Sequence, residues 1–415
     1  MTAGVRAAAV AGVEAIRREF PALARLHRGR PVAYFDGPGG TQVPAPVAAA
    51  MTDYLFHHNA NTHWAYPSSI ETDRMIEEAR AAVGDFLNAP AGEIAFGLNM
   101  TTLTFHLARA LGREWTAGDE VIVTELDHHG NVAPWQALAR ERGIVLRTLP
   151  LRTGDGTLDL AALPALFGPR TRLLAVGAAS NVLGTVTDVA AACARAREAG
   201  VLSFVDAVHA AAHVLMDVRA IGCDFLACSA YKFYGPHVGI LWGKRERIEA
   251  LDLPRLAPAP DTAPERIETG TQNHEGIVGA GAAVDFLAGL TSGPRRRERL
   301  ASVQTELHRR GADLFRALWG GLRAERRVRL YGPGPGAART PTVSFTVEGM
   351  DAESVARGLA ERGLFLSHGD FYAPTVLERY GCLREGFVRA GCACYTTTDE
   401  VDRLLEAVRA LSRSA

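Results

Sequence analysis

Val201-Leu202-Ser203-Phe204-Val205-Asp206-Ala207-Val208-His209 and, one unit later, Asp224-Phe225-Leu226-Ala227-Cys228-Ser229-Ala230-Tyr231-Lys232-Phe233-Tyr234-Gly235-Pro236 are the two stretches on which the reading of this chain turns. Each is a short, near-continuous apolar run of β type that finishes in polar groups. Runs of the same kind stand at 93–97, 120–126, 144–151, 172–178 and 239–243, separated by helix-like segments. In one of these, Leu103, Leu107 and Leu111 recur every fourth residue and share a face. Apolar strands alternating with helices predict an α/β fold with a mostly parallel seven-stranded sheet covered on both faces. Ligands of such sheets sit at the carboxyl ends of the strands.

Those ends hold the chemistry. Asp206 places a carboxylate at the close of an apolar run, and it reads either as a helix N-cap or as a buried acid with a partner. Lys232 follows its strand among aromatic residues, where partial desolvation lowers an amine pKa and makes it a nucleophile. A lone lysine is usually a surface group in a turn, but lysine is scarce here and arginine does nearly all the surface work. An acid and a lysine at neighbouring strand ends are the minimum set for holding pyridoxal 5'-phosphate: the lysine forms a Schiff base and the acid keeps the pyridine nitrogen protonated. Asn99-Met100-Thr101-Thr102 lies where strand 93–97 turns into a helix, so N–H groups and hydroxyls converge there on an anion; a plain capping box explains Thr101 and Thr102 equally well. Ser229, three residues before Lys232, adds a hydroxyl.

Composition bounds the partners. The 415 residues are 47% hydrophobic, enough for a large core, and carry 45 Lys+Arg against 46 Asp+Glu. A formal charge of -1 gives no global field for nucleic acid or an anionic membrane, so a charged ligand must be captured locally. Residues 1–20 read as an amphipathic helix, neither signal peptide nor membrane span. Six cysteines without an export signal are expected to be reduced thiols, with the cytoplasm as the compartment. No phosphate loop, H-E-x-x-H or paired CxxC is present, so no metal is expected; Cys392-Ala-Cys394 suits a strand with both thiols on one face. After about residue 290 the pattern becomes a long charged helix, a Gly/Pro-rich turn, two strands and two helices. The division expected is 1–30, a helical segment packing on a small domain; 31–290, a large cofactor domain; and 291–415, a small α+β domain.

Five ordered motifs carry a resemblance: Asp127-His128-His129-Gly130-Asn131, Ser180-Asn181-Val182-Leu183-Gly184-Thr185, Asp206-x-x-His209, Ser229-x-x-Lys232 and Gly270-Thr271-Gln272-Asn273. From about residue 30 to 410 the chain resembles the class V aminotransferase group of fold-type-I pyridoxal-phosphate enzymes, most nearly the cysteine desulfurase and selenocysteine lyase branch. The resemblance implies that Lys232 binds the cofactor covalently, that Asp206 pairs with its ring nitrogen, and that His128 stacks on the ring and moves protons. It further implies that Asn181 approaches the ring hydroxyl and the substrate carboxylate, that His209, where desulfurases usually have glutamine, contacts the ring hydroxyl, and that Thr271 reaches the phosphate of a neighbouring subunit in a homodimer. Met100, Thr101, Thr102 and Ser229 complete the cofactor set. Arg389 matches the clamp for the substrate α-carboxylate, and His63 and the Gly37-Pro38-Gly39-Gly40 segment match positions lining the substrate entrance.

One departure limits the reaction. Where desulfurases carry a nucleophilic cysteine, this chain has Ser367-His368-Gly369-Asp370-Phe371-Tyr372-Ala373, with Tyr372 at the thiol's place. A phenol with a pKa near 10 does not replace a thiolate in forming a persulfide. The expected reaction is therefore C–S β-elimination from cysteine or an S-substituted cysteine, with Lys232 as base and Tyr372 in the side-chain pocket. Transamination or epimerisation, decarboxylating oxidative deamination, and a binding protein that has lost turnover are the alternatives.

Overall fold

The structure, a computed structural model, describes residues 9–414. Its centre is a seven-stranded sheet built from β1 (Ile94–Gly97), β2 (Glu120–Thr124), β3 (Val145–Leu149), β4 (Thr171–Gly177), β5 (Leu202–Asp206), β6 (Phe225–Ser229) and β7 (Gly239–Gly243). The order across the sheet is β1-β7-β6-β5-β4-β2-β3. β7 runs antiparallel to both its neighbours, and the other pairings are parallel. The apolar runs are continuous because both faces are covered. Ile122, Val176, Val205, Leu226 and Ile240 enter one core, while Val121, Ala175, Phe204, Phe225 and Leu241 enter the other. Leu103, Leu107 and Leu111 of the helix Met100–Gly112 join the second core, as their spacing predicts. β3 is the exception: it lies at the sheet edge with an exposed pattern, and its predicted continuation, Leu151–Arg152, turns into a separate two-stranded hairpin.

A second sheet, β8 (Val328–Tyr331), β9 (Thr342–Val347), β10 (Ser367–Gly369) and β11 (Phe387–Gly391), is antiparallel in the order β8-β9-β11-β10. The helices Arg296–Arg323, Ala352–Ala360 and Thr398–Ser414 contribute Phe315, Leu318, Val355, Leu359, Leu404 and Val408 to its core. Three expectations change here. The second of the two strands expected after residue 290, at 364–369, is split: Leu364–Phe365 pairs in parallel with Ala33–Tyr34, and β10 pairs with β11. β11 ends at Gly391, so Cys392 and Cys394 lie beyond the strand instead of along one of its faces. Within residues 9–20 the helix spans only Val13–Arg17; residues 1–8 of the expected helix lie outside the described residues. This segment bridges two regions, with Phe20 packed edge-on against Tyr234, Phe286 and Tyr395, and Arg17 paired with Glu400.

One buried ion pair fixes the strand at the sheet margin that leads into the helix Met100–Gly112. Arg80, 3% exposed, donates to both Glu268 carboxylate oxygens at 2.7 Å and to the Ile94 carbonyl at 2.6 Å, while Phe96 N–H donates to Glu268 Oε1 at 2.7 Å. Removing one member of such a pair strands the other charge away from water. Glu268→Ala is expected to cost about 3–5 kcal/mol, read as a lowered midpoint in urea unfolding; an unchanged midpoint would mean that the pair does not hold this margin.

Candidate active site

The carboxyl ends of β2, β4, β5 and β6 face the second sheet across a cavity of about 1200 Å³. Lys232 enters from a short turn directly after β6, 7% exposed, with its Nζ donating to the carbonyls of Gly39 (2.9 Å) and Pro38. Burial first, and then the charge of Arg389, push its amine down to about 7, so that a neutral, nucleophilic amine is available near neutral pH. Asp206 is the last residue of β5. Its Oδ1 accepts the Val208 N–H at 2.9 Å, and burial raises its carboxyl to about 7, with Lys232 opposing the rise. A carboxylate in such surroundings is stabilised by a hydrogen-bonded cation, which a protonated ring nitrogen supplies.

His128 sits at the start of the turn after β2. Its Nδ1 accepts the Gly130 N–H at 2.9 Å, which puts the ring proton on Nε2. Burial, followed by the Lys232 charge, pushes it down to about 4, so the imidazole is neutral. Beneath it, Asp127 accepts from Gly177 N (2.8 Å) and Asn131 Nδ2 (3.0 Å), tying the His128 turn to the end of β4. Burial and the neighbouring Asp206 raise the Asp127 carboxyl to about 8. A Cβ on Gly177 would lie 2.4 Å from Asp127 Oδ1, so a glycine is needed there.

At the anion end, Asn99 and Thr102 form a reciprocal capping box. Asn99 Oδ1 accepts the Thr102 N–H at 2.9 Å, and Thr102 Oγ1 accepts the Asn99 N–H at 3.3 Å. Thr102 thus takes part in the helix cap while also lining the cavity. Met100 N–H donates to Ser229 Oγ at 3.1 Å. Thr101 is left to present its N–H and hydroxyl to an anion at the helix N-terminus, close to a glycine, Gly130, whose Cβ would come within 2.8 Å of Thr101 Oγ1. His209 lines the cavity, with its Nε2 bonded to the hydroxyls of Thr340 (2.9 Å) and Thr342 (3.3 Å).

The second sheet brings Arg389, in the middle of β11 and 3% exposed. Its Nη1 donates to the Asn181 carbonyl (3.0 Å) and its Nη2 to Ser367 Oγ (3.0 Å) and Asp36 Oδ1 (3.3 Å). Arg389 Nε and Asn181 Oδ1 are buried without a hydrogen-bond partner, a donor and an acceptor for a ligand that carries both functions. Asn181 Nδ2 donates to the Phe371 carbonyl at 2.9 Å. Tyr372 borders the cavity, 72% exposed, its ring 5.6 Å from that of His128.

His63 lies outside the cavity lining, exposed, with both its N–H and its ring paired with Asp73 in the second turn of the helix Pro67–Leu87. Thr271, expected to serve a neighbouring subunit, is exposed and lies outside this cavity's lining. The structure adds contacts of groups to which the sequence assigns no role: Asp36 beside Arg389, Asp127 beside Asp206, Phe371 over Arg389, and Tyr231 stacked on His237 at 5.0 Å. Asp36 had a visible signal, a charged residue opening a Gly-Pro-Gly-Gly turn; the other contacts depend on side-chain packing between distant segments.

Residues 33–404 match the family model for aminotransferase class-V. The chain belongs to the class V aminotransferase family. It is 33% identical over 417 residues to a cysteine desulfurase of Pectobacterium carotovorum subsp. carotovorum, covering 97% of this chain and 98% of that protein. It is 35% identical over 419 residues to a cysteine desulfurase of Klebsiella pneumoniae strain 342, with the same coverage. Among solved structures, the apo cysteine desulfurase of Thermococcus onnurineus NA1 superposes with a TM-score of 0.87 at 28% identity, over 97% of this chain and 98% of that one. A cysteine desulfurase of Escherichia coli superposes with 0.85 at 28% identity, over 98% and 99%.

Members of this family use pyridoxal phosphate, and the chain is a pyridoxal-phosphate enzyme. The residues fit the group: a depressed amine, a buried carboxyl one strand away, a neutral imidazole and a helix N-terminus shaped by a glycine surround one cavity. In protein stripped of cofactor, capture of pyridoxal phosphate by Lys232 is expected to rise with pH through about 7 and then level, because the free amine is the reacting form. Stopped-flow absorbance measures it; a midpoint near the ordinary lysine value of about 10 would refute the depressed amine.

Proposed function

We propose that the enzyme is a C–S β-lyase that converts cysteine or an S-substituted cysteine, with water, into a thiol, pyruvate and ammonium. The observation that carries this reading is that no cysteine lines the cavity among the described residues. Cys382, the thiol nearest in sequence to the 367–373 loop, instead contacts the Tyr331 hydroxyl (3.4 Å) and the Tyr380 carbonyl (3.5 Å), while Cys392 and Cys394 are pushed up to about 12 by burial. A thiol held protonated in this way is a poor sulfur nucleophile. Elimination needs none.

Bound between Lys232 and Asp206, pyridoxal phosphate supplies the electron withdrawal that acidifies the substrate Cα–H. Arg389 receives the substrate carboxylate, turning the Cα–H towards Lys232, and Asn181 Oδ1 accepts from the amine side. The Lys232 amine, neutral near pH 7, takes the Cα proton. The C–S bond then breaks with its electron pair on sulfur, which is protonated at the cavity mouth where the Tyr372 phenol stands. Water hydrolyses the released enamine, through its imine, to pyruvate and ammonium.

The same reading assigns the chain to a homodimer, with Thr271 turned to the partner's cofactor phosphate. In support, Phe56 (77% exposed), Trp64 (61%) and Ile70 (56%) form an unusual concentration of exposed apolar side chains on one stretch of chain.

Incubation of the holoenzyme with a panel of S-substituted cysteines is expected to yield pyruvate and thiol in equal amounts, measured by mass spectrometry. Cys382→Ser is expected to keep that rate, and Lys232→Ala to lower it by about 10²–10⁴-fold. Release of neither product, or a persulfide on the protein, refutes the lyase reading.

A further inference from the structure

We infer that Phe371 is a positioning residue for the substrate carboxylate: its ring fixes the plane of the Arg389 guanidinium. The inference rests on the reading that Arg389 receives that carboxylate. The Phe371 ring centroid lies 4.1 Å from Arg389 Cζ. Asn181 O and Ser367 Oγ, with Asp36 beside them, hold the two Nη groups, and Nε is left buried without a partner. A planar cation held only by its outer edge can still tilt about that edge. A ring across its face blocks the tilt, adds cation–π attraction and keeps water off that side. Bidentate capture of a carboxylate depends on that plane, so the ring acts on the substrate through the arginine.

The backbone beneath the ring indicates that this placement is enforced. Phe371 and Tyr372 both adopt left-handed conformations, φ 55° and 57°, which bulky L residues rarely do. Three hydrogen bonds hold them there: Asn181 Nδ2 to Phe371 O (2.9 Å), His129 N–H to Tyr372 O (2.6 Å) and Tyr372 N–H to Asp370 Oδ1 (3.0 Å). Two of these donors come from distant segments, those bearing the site's own His128–His129 and Asn181, and the third bond lies within the loop. An ordinary loop would relax to an extended or right-handed conformation, turning the ring off the guanidinium.

The test uses two carbonyl reagents on the holoenzyme, aminooxyacetate and methoxyamine. Both would displace the Lys232 amine from the cofactor through the same aminooxy nitrogen, which takes over its C=N bond, but only the first carries a carboxylate. The ratio of their capture rates, read by absorbance, isolates the carboxylate contribution without any C–S cleavage, so it stands apart from the lyase reaction. The wild type is expected to favour aminooxyacetate. Phe371→Ala and Phe371→Leu are expected to lower the ratio by about 3- to 30-fold, with the methoxyamine rate held, and Phe371→Tyr to retain it. In the cofactor-free protein, Phe371→Leu is expected to shift the Arg389 Nε–H resonance, because the aromatic face is lost. A wild-type ratio in Phe371→Leu, equal slowing with both reagents, or an unshifted resonance overturns the proposal. Should Phe371→Ala fail to fold, the Leu and Tyr pair decides. A wild type with no preference between the reagents removes the Arg389 reading along with it, whereas failure of the cysteine panel alone leaves both intact.

Discussion

Two buried cations share one cavity, and much of the architecture follows from that constraint. Lys232 and Arg389 are 7% and 3% exposed, and each carries a desolvation cost that burial imposes on the charged form. The lysine resolves it by giving up its proton near neutrality. The arginine, with an intrinsic pKa above 12, stays charged even after burial pushes it down to about 10, so it needs anions and dipoles. Asp36, Ser367 and the Asn181 carbonyl supply them on one edge. The positive field that remains depresses Lys232 further and adds to the burial that keeps His128 neutral. An amino-acid carboxylate arriving at Arg389 would relieve part of that field.

No single element could assemble this set. The parallel sheet delivers Asp206 and Lys232 at the ends of adjacent strands, with the register Asp206 opposite Ala227 placing the two ends side by side. It also delivers the His128 turn from β2 and the anion cradle from the helix after β1. It has no means of supplying the arginine, which rides on the central part of an antiparallel sheet built from the last quarter of the chain. The segment joining the two is the Asp36–Gly40 turn, whose carbonyls receive the Lys232 amine while its carboxylate meets Arg389. Gly39 permits this: a Cβ there would sit 2.5 Å from the Asp36 carboxylate oxygens.

These differences in origin explain what was legible in the sequence. Asp206, Lys232, Thr101 and Ser229 lie at strand ends or helix starts, and a local pattern of apolar residues fixes where such ends fall. The scarcity of lysine helped: Lys232 is one of only two in the chain, so its place among aromatic residues stood out. The Asn99–Thr102 cap and a phosphate cradle look the same in sequence, because both need hydroxyls and amides at a helix start; in the fold Thr102 takes part in the cap, and both threonines line the cavity. The His63 contact was hidden for the opposite reason: its pairing with Asp73 spans ten residues around an irregular turn, which no periodicity announces. Asp127 was quoted as part of a motif, but its role depends on Gly177 N, fifty positions away.

The most consequential group that sequence could not supply is the loop at 369–373. Read as letters, Asp370-Phe371-Tyr372 marks the absence of a nucleophilic thiol and nothing more. In the fold it occupies hydrogen-bonding groups of both His129 and Asn181 and lays an aromatic ring on the arginine. Phe371 and Tyr372 are held in a rarely populated backbone conformation by Asn181 and His129, on two distant segments, and by Asp370 within the loop. Such strain persists only where the surroundings over-determine it. The loop 369–373 is therefore a fixed aromatic wall on the arginine side of the cavity, with Phe371 across the Arg389 face and the loop's carbonyl groups tied to the segments that carry His129 and Asn181.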